Sequence, residues 1–219
     1  MPDRFLGSNS LYLVWNDMNE PSVFDVESKT LPLDSIHVTA DGVSYEHRDV
    51  HNAYGGLQQK ASFNGLIKRD NNQQRPFVLT RSFFVGSQKY GAYWTGDNVA
   101  EYGELKGALE MILQLGNAGH PFGGADVPGF FGEPTDELFI MFYQLGMYFP
   151  FFRAHSEIQY QKREPWLQSE RVQMAIKDAL SRRYDLIHYL YTSFETTTRT
   201  AEPVMRPMWN EFPDQTATW

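Results

Sequence analysis

Five short apolar runs, each with a polar residue at or next to its close, constrain this chain more than any other feature. They are LYLVWND (11–17), RPFVLTRS (75–82), YGAYWTGDN (90–98), HPFGGADV (120–127) and YFPFFRAH (148–155). Runs of this length, rich in Val, Leu, Phe, Tyr and Trp and bounded by Gly, Pro or Asn, read as buried strands. Helical patterns lie between several of them. ELKGALEMILQLG puts Leu105, Ala108, Leu109 and Ile112 on one face and stops at Gly116. PTDELFIMFYQLGMY opens with Thr135 as a cap, carries acids in its first turn and is apolar almost all round, as a buried helix is. From Ser169, a long amphipathic helix repeats Val172, Ile176, Ala179, Arg183, Ile187, Leu190 and Phe194. Residues 25–75 read as a long polar insertion with one helix at VHNAYGGLQQKA (50–61).

This alternation predicts an α/β fold with a parallel sheet and crossover helices. In a parallel β/α barrel the active site lies at the C-terminal ends of the strands. Here those ends present Asp17, Arg81, Asp97, Asp126 and His155, a set that packing alone does not explain. A closed barrel needs eight strands and this sequence offers about five. The expectation is therefore a (β/α)8 TIM barrel of which the chain supplies roughly the C-terminal half. Residues 1–200 would form the barrel part and 201–219 a junction.

Composition narrows the function classes. The formal charge is -8 with no basic run, which argues against a nucleic-acid backbone as partner. No apolar stretch reaches the roughly 18 residues of a membrane span, so no membrane insertion is expected. There is no cysteine to form a disulfide. Aromatic residues make up 15%, which suits either a dense core or stacking platforms for a ring-shaped ligand.

Asp17 and Asp97 are the central pair. Glycosidic hydrolysis needs one carboxylate as nucleophile or base and one carboxylic acid to protonate the leaving oxygen, roughly 5–5.5 Å apart for retention and 6.5–9.5 Å for inversion. The plain alternative is that both are caps: Asp17 at a strand-to-loop turn, Asp97 in GDN before a helix. Arg81 after PFVLT asks for a facing anion, whether Asp17 or a structural ion-pair partner. Asp126, among the glycines of GGADVPGFFG, fits close approach of a ligand or an Asx turn equally. His155 reads as a hydroxyl partner or a hydrogen-bonded core histidine. Trp15, Trp94, Phe130 and Phe152 beside these groups are sugar-packing faces or aromatic core. His47 and His51 in EHRDVH stand at i, i+4, but without the HExxH order or a third ligand nearby. A metal-dependent hydrolase using the carboxylates as ligands has correspondingly little support.

Four ordered segments carry a family resemblance. WNDMNEPSVF (15–24) resembles the nucleophile signature of glycoside hydrolase family 31, and RPFVLTRSFFVGSQKYGAYWTGDN (75–98) resembles its acid/base block. GGADVPGFFG (123–132) and FFRAHSEIQYQKREPW (151–166) resemble two later blocks lining the subsite for the non-reducing glucose. YEHRDVHNAYG and KREPW point more narrowly to the endoplasmic-reticulum glucosidase II branch, as its catalytic subunit.

The resemblance implies Asp17 as nucleophile and Asp97 as general acid/base of a retaining α-glucosidase. Arg81, Asp126 and His155 would hold glucose hydroxyls, and Trp15, Trp94, Met18 and Phe130 would shape the pocket. It implies no metal and no organic cofactor. The substrate would be an α-glucoside, in the glucosidase II branch the α-1,3-linked glucose of immature N-glycans. The partner there would be a separate β subunit and the compartment the endoplasmic-reticulum lumen. The family's catalytic chain is far longer. It has an N-terminal β-sandwich, three earlier barrel strands with an upstream subsite Asp, and C-terminal β domains that 201–219 resembles the approach to. No signal peptide is read in the opening residues. The expectation is a fragment with an open barrel and aggregation-prone strand edges. A truncated, non-catalytic homologue that binds sugar or a partner is the alternative.

Overall fold

The computed structural model describes residues 9, 11–69, 71 and 73–218. They fall into two compact units, one ending at Tyr93 and one beginning at Trp94.

In the first unit three strands run parallel: β1 (Val14–Asn16), β4 (Val78–Thr80) and β5 (Ala92–Trp94), whose last residue opens the second unit. β1 pairs with β4 in the register Trp15↔Leu79, and β4 with β5 in the register Leu79↔Ala92. All three lie within expected apolar runs but are only three residues long. Val78, Leu79, Ala92 and Tyr93 are buried, as both-faces-covered parallel strands should be.

The segment expected as a polar insertion is structured. It holds an antiparallel hairpin, β2 (Ile36–Val38) with β3 (Ser44–Glu46), and then α1 (His47–Arg69). α1 packs on β1 and β4 and is thus the crossover between parallel strands. The helix expected at 50–61 is longer at both ends, with Asp49 in its first turn and Lys68 and Arg69 in its last, each favoured by the helix dipole. Gly55 and Gly56 sit mid-helix, where glycine costs about 1 kcal/mol each against alanine. Packing requires the first of them: a Cβ on Gly55 would lie 2.4 Å from Ser82 Cβ.

The second unit contains α2 (Tyr102–Asn117), β6 (Gly123–Gly124), β7 (Asp126–Val127), α3 (Asp136–Gly146), β8 (Arg153–Ala154), α4 (Glu170–Thr200) and the short α5 (Met208–Glu211). β7 and β8 are parallel, with Asp126 opposite Arg153. Thr135 caps α3 by accepting from Leu138 N–H, and Ser169 caps α4 by accepting from Val172 N–H. α2 runs one residue past its expected stop. Gly116 is there for contact, since its Cβ would be 3.1 Å from Pro203, and the turn out of the helix falls to Gly119 at φ 90°.

The core of this unit gathers Ala108 and Ile112 of α2, Val127 of β7, Leu138, Phe139, Phe142 and Tyr143 of α3, and Val172, Ile176 and Ala179 of α4. Each large side chain so buried contributes about 1.5–3 kcal/mol before entropy. Burial pushes the Tyr143 hydroxyl pKa up to about 12. Phe152, expected beside the polar groups, joins this core, with its ring 5.7 Å from Tyr143 and under the Arg183 guanidinium. Arg183, read as part of an amphipathic stripe, donates to the Met147, Phe149 and Pro150 carbonyls and closes the end of α3. No described helix is long and apolar enough to cross a membrane.

Candidate active site

Asp17 is the first residue beyond β1. Arg81 is the first beyond β4, and its N–H donates to Asn16 O at 3.0 Å. The parallel ladder therefore delivers Asp17 and Arg81 to the same strand ends. Arg81 Nη1 lies 3.2 Å from Asp17 Oδ1. The same guanidinium grips Glu20 with two bonds, Nε to Oε1 at 2.9 Å and Nη2 to Oε2 at 3.1 Å. A planar fork holding one carboxylate bidentately leaves its third nitrogen at a fixed angle toward the other. Asp17 Oδ1 also accepts from Met18 N–H at 2.8 Å. Asp17 thus holds both a backbone N–H of its own turn and an ion pair with Arg81. Its side chain remains 37% exposed and so is accessible to a ligand.

What fixes this turn is Asn19. Met18 takes a left-handed φ of 54°, uncommon for a residue with a Cβ, and Asn19 next to it is buried. Asn19 Nδ2 donates to Thr80 Oγ1 at 2.8 Å, and Asn19 Oδ1 accepts from Ser82 N–H at 2.8 Å. The loop after β1 is thereby tied to the end of β4. Trp15 and Met18 are exposed at this end.

In the second unit Trp94 is buried, Asp97 is exposed and Asn98 is buried. α2 has Glu101 as its N-cap, so Asp97 is not that cap. Asn98 organises the turn after Asp97: its Nδ2 donates to Asp126 O at 3.2 Å, and its Oδ1 and backbone O both accept from Phe130 N–H.

Asp126 is wholly buried, and Arg153 Nη2 donates to its Oδ1 at 2.6 Å. The Arg153 guanidinium also covers the Trp94 ring at 5.0 Å. The Arg153 guanidinium thus stands between a charge and an aromatic face. Gly124, two residues before Asp126, serves the backbone: a Cβ there would meet the Phe151 carbonyl oxygen at 1.8 Å. His155 and Phe130 are half-buried neighbours with ring centroids 5.2 Å apart, and His155 N–H donates to Val127 O at 3.1 Å.

His47, weighed as a metal ligand, is fully buried. Its Nε2 bonds Thr30 Oγ1 at 3.0 Å and its Nδ1 bonds His37 Nε2 at 2.9 Å. Both ring nitrogens are thus engaged within the protein. Burial first, then the charges of His51 and His37, lowers its pKa below the ordinary histidine value.

Glu20, Asn19, Asn98, Arg153 and Arg163 had no assigned role in the sequence reading. A signal existed for Arg153, a lone cation inside the apolar run FPFFRAH, since a buried charge demands a partner.

Comparisons with known proteins identify the family. The family model for the TIM-barrel domain of glycosyl hydrolases family 31 matches residues 4–193. The chain is 46% identical over 217 residues to a probable glucan 1,3-alpha-glucosidase of Oryza sativa subsp. japonica, covering 99% of this chain and 23% of that protein. It is 48% identical over 215 residues to neutral alpha-glucosidase C of Homo sapiens, covering 98% of this chain and 23% of the relative. Among solved structures, glucosidase II alpha subunit in its Tris-bound form superposes with a TM-score of 0.91 at 45% identity, over 99% of this chain and 23% of that one. That subunit has also been crystallised with alpha3-Glc2 bound and, for the endoplasmic-reticulum enzyme, with the binding domain of a regulatory subunit. The chain spans about a quarter of the length of these relatives. Its parallel β/α units are part of a TIM barrel, and the chain belongs to glycosyl hydrolase family 31.

Proposed function

We propose that this chain carries the catalytic residues of a retaining α-glucosidase, with Asp17 as nucleophile and Asp97 as general acid/base. The observation that carries the reading is the accessible Asp17 carboxylate at the end of β1, fixed beside the guanidinium of Arg81. The names of the relatives and the strand-end position of Asp97 support it.

In the first step an Asp17 oxygen attacks the anomeric carbon and the bond to the leaving oxygen breaks. Asp97 gives that oxygen its proton. In the second step Asp97, now a carboxylate, takes a proton from water. The water oxygen bonds to the anomeric carbon, and Asp17 is released. Arg81 orients Asp17 and faces its charge. His155, Phe130, Trp15, Met18, Asp126 and Trp94 are the further residues that the family resemblance assigns to sugar binding, and Arg153 joins Asp126 to Trp94.

The substrate class is a terminal α-linked glucose, and within it the α-1,3-linked glucose of N-glycans, acted on in the endoplasmic-reticulum lumen with a regulatory β subunit as partner. Likeness to glucosidase II alpha subunit supports this finer assignment.

The test is hydrolysis of p-nitrophenyl α-glucoside by residues 1–219, beside Asp17→Ala and Asp97→Ala, with circular dichroism to verify folding. Turnover lost in both folded variants is the expected result. No turnover by a folded wild-type chain overturns the catalytic reading, and sugar binding without turnover would replace it with a binding role.

A further inference from the structure

The segment 157–163 fastens the loop that follows β7, and its anchor is Arg163. That loop carries Phe130, whose ring lies against His155. Gly129 and Gly132 bracket it with φ of 123° and 78°, so both turns depend on glycine. Arg163 is buried and donates Nη1 to Gly129 O and Nη2 to Gly132 O. One guanidinium thus fixes the span across Phe130 and Phe131. Two lesser ties run in parallel: Glu157 N–H to Phe130 O at 3.1 Å and Gln161 N–H to Glu133 Oε1 at 2.9 Å. On its other edge the loop hangs from Asn98, whose backbone O accepts from Phe130 N–H at 2.7 Å and Phe131 N–H at 3.0 Å.

Burying a cation is costly, and burial does lower the Arg163 pKa, with Glu133, Tyr160 and Asp126 opposing. Shape alone would be filled at less cost by methionine. A rigid fork whose two donors reach carbonyls three residues apart does what methionine cannot, which is to hold the loop's curvature.

We propose that Arg163 is a positioning residue for glucoside binding, acting through the Gly129–Gly132 loop to set Phe130 against His155. This rests on the α-glucosidase reading above. A wall that contacts the sugar alike in ground and transition states affects KM more than kcat.

The experiment compares the full chain with Arg163→Met and Arg163→Lys, using site-resolved amide hydrogen exchange and steady-state hydrolysis of p-nitrophenyl α-glucoside. In Arg163→Met, exchange at Phe130 and Phe131 should quicken by about 10-fold or more while Phe142 and Ile176 keep their protection. KM should rise about 10-fold with kcat within about 3-fold. Arg163→Lys, able to reach one carbonyl, should lie between, and it decides the matter if Arg163→Met does not fold. Unchanged exchange at Phe130 and Phe131, or a uniform loss of protection across the unit, overturns the proposal. A wild-type chain without turnover overturns the α-glucosidase reading instead, and the exchange data still decide whether Arg163 holds the loop.

Discussion

Arg81 holds Glu20 through two parallel hydrogen bonds, of 2.9 and 3.1 Å, and keeps its remaining terminal nitrogen 3.2 Å from Asp17. Glu20 thereby aims the cation that faces the proposed nucleophile. Glu20→Gln replaces one acceptor oxygen by a donor and frees the fork to turn. A misplacement of this kind near reacting atoms costs up to about 100-fold in rate. Steady-state kinetics should show the loss mainly in kcat, with KM nearly unchanged and the circular dichroism spectrum intact.

Double displacement at the anomeric carbon leaves its configuration unchanged. Proton NMR of the first turnovers should show the α anomer of glucose before mutarotation. Initial release of the β anomer would reassign Asp17 from nucleophile to general base.

Asn19 ties the loop after β1 to Thr80 and Ser82. Asn19→Ala leaves the Ser82 N–H without that acceptor, and losing a buried partner costs about 1–3 kcal/mol. For a chain of this size, about 2 kcal/mol corresponds to a Tm lower by about 4–8 °C, measurable by calorimetry. Because the same loop holds Asp17, hydrolysis should fall as well.

Folded His47 resists protonation, since its pKa lies below the ordinary value near 6.5. Below that pH the unfolded chain binds a proton that the folded one refuses, so stability falls as pH drops through this window and is fully present above it. His37 of β2 and His51 of α1 face the same ring. Urea midpoints at pH 7.5 and 5.5 should differ in this direction, and His47→Gln should shrink the difference.

Glycines with opposite roles give a further check. Gly124→Ala would drive its Cβ into the Phe151 carbonyl, and soluble folded protein should be lost. Gly107→Ala in α2 meets nothing within 4 Å and should raise stability by about 0.5–1 kcal/mol, seen as a higher urea midpoint.

Much of the framework was legible in residue order. Thr135 announced the start of α3, because a cap is decided by a side chain and an N–H three positions away. The apolar runs announced the parallel strands and put Asp17, Arg81 and Asp97 just past their ends. The structure within 25–75 was less legible because its buried positions are largely polar: Thr30, His47 and Gln59 lie inside, and a hydrophobicity pattern does not register them. Mid-helix Gly55 and Gly56 weakened the helical signal further, although the contact with Ser82 demands the first of them.

By itself, then, the sequence determined the α/β alternation, the acids at the strand ends and, through four ordered motifs, the family. These are properties of local spacing, where periodicity and neighbouring donors decide the outcome. Only the tertiary structure decided that Glu20 grips Arg81, that Asp126 is buried under Arg153, and that Arg163 fastens the loop of Phe130. Such pairs join residues 27 to 61 positions apart. Their geometry comes from strand register and backbone turns, which bring charges together that no reading along the chain places side by side.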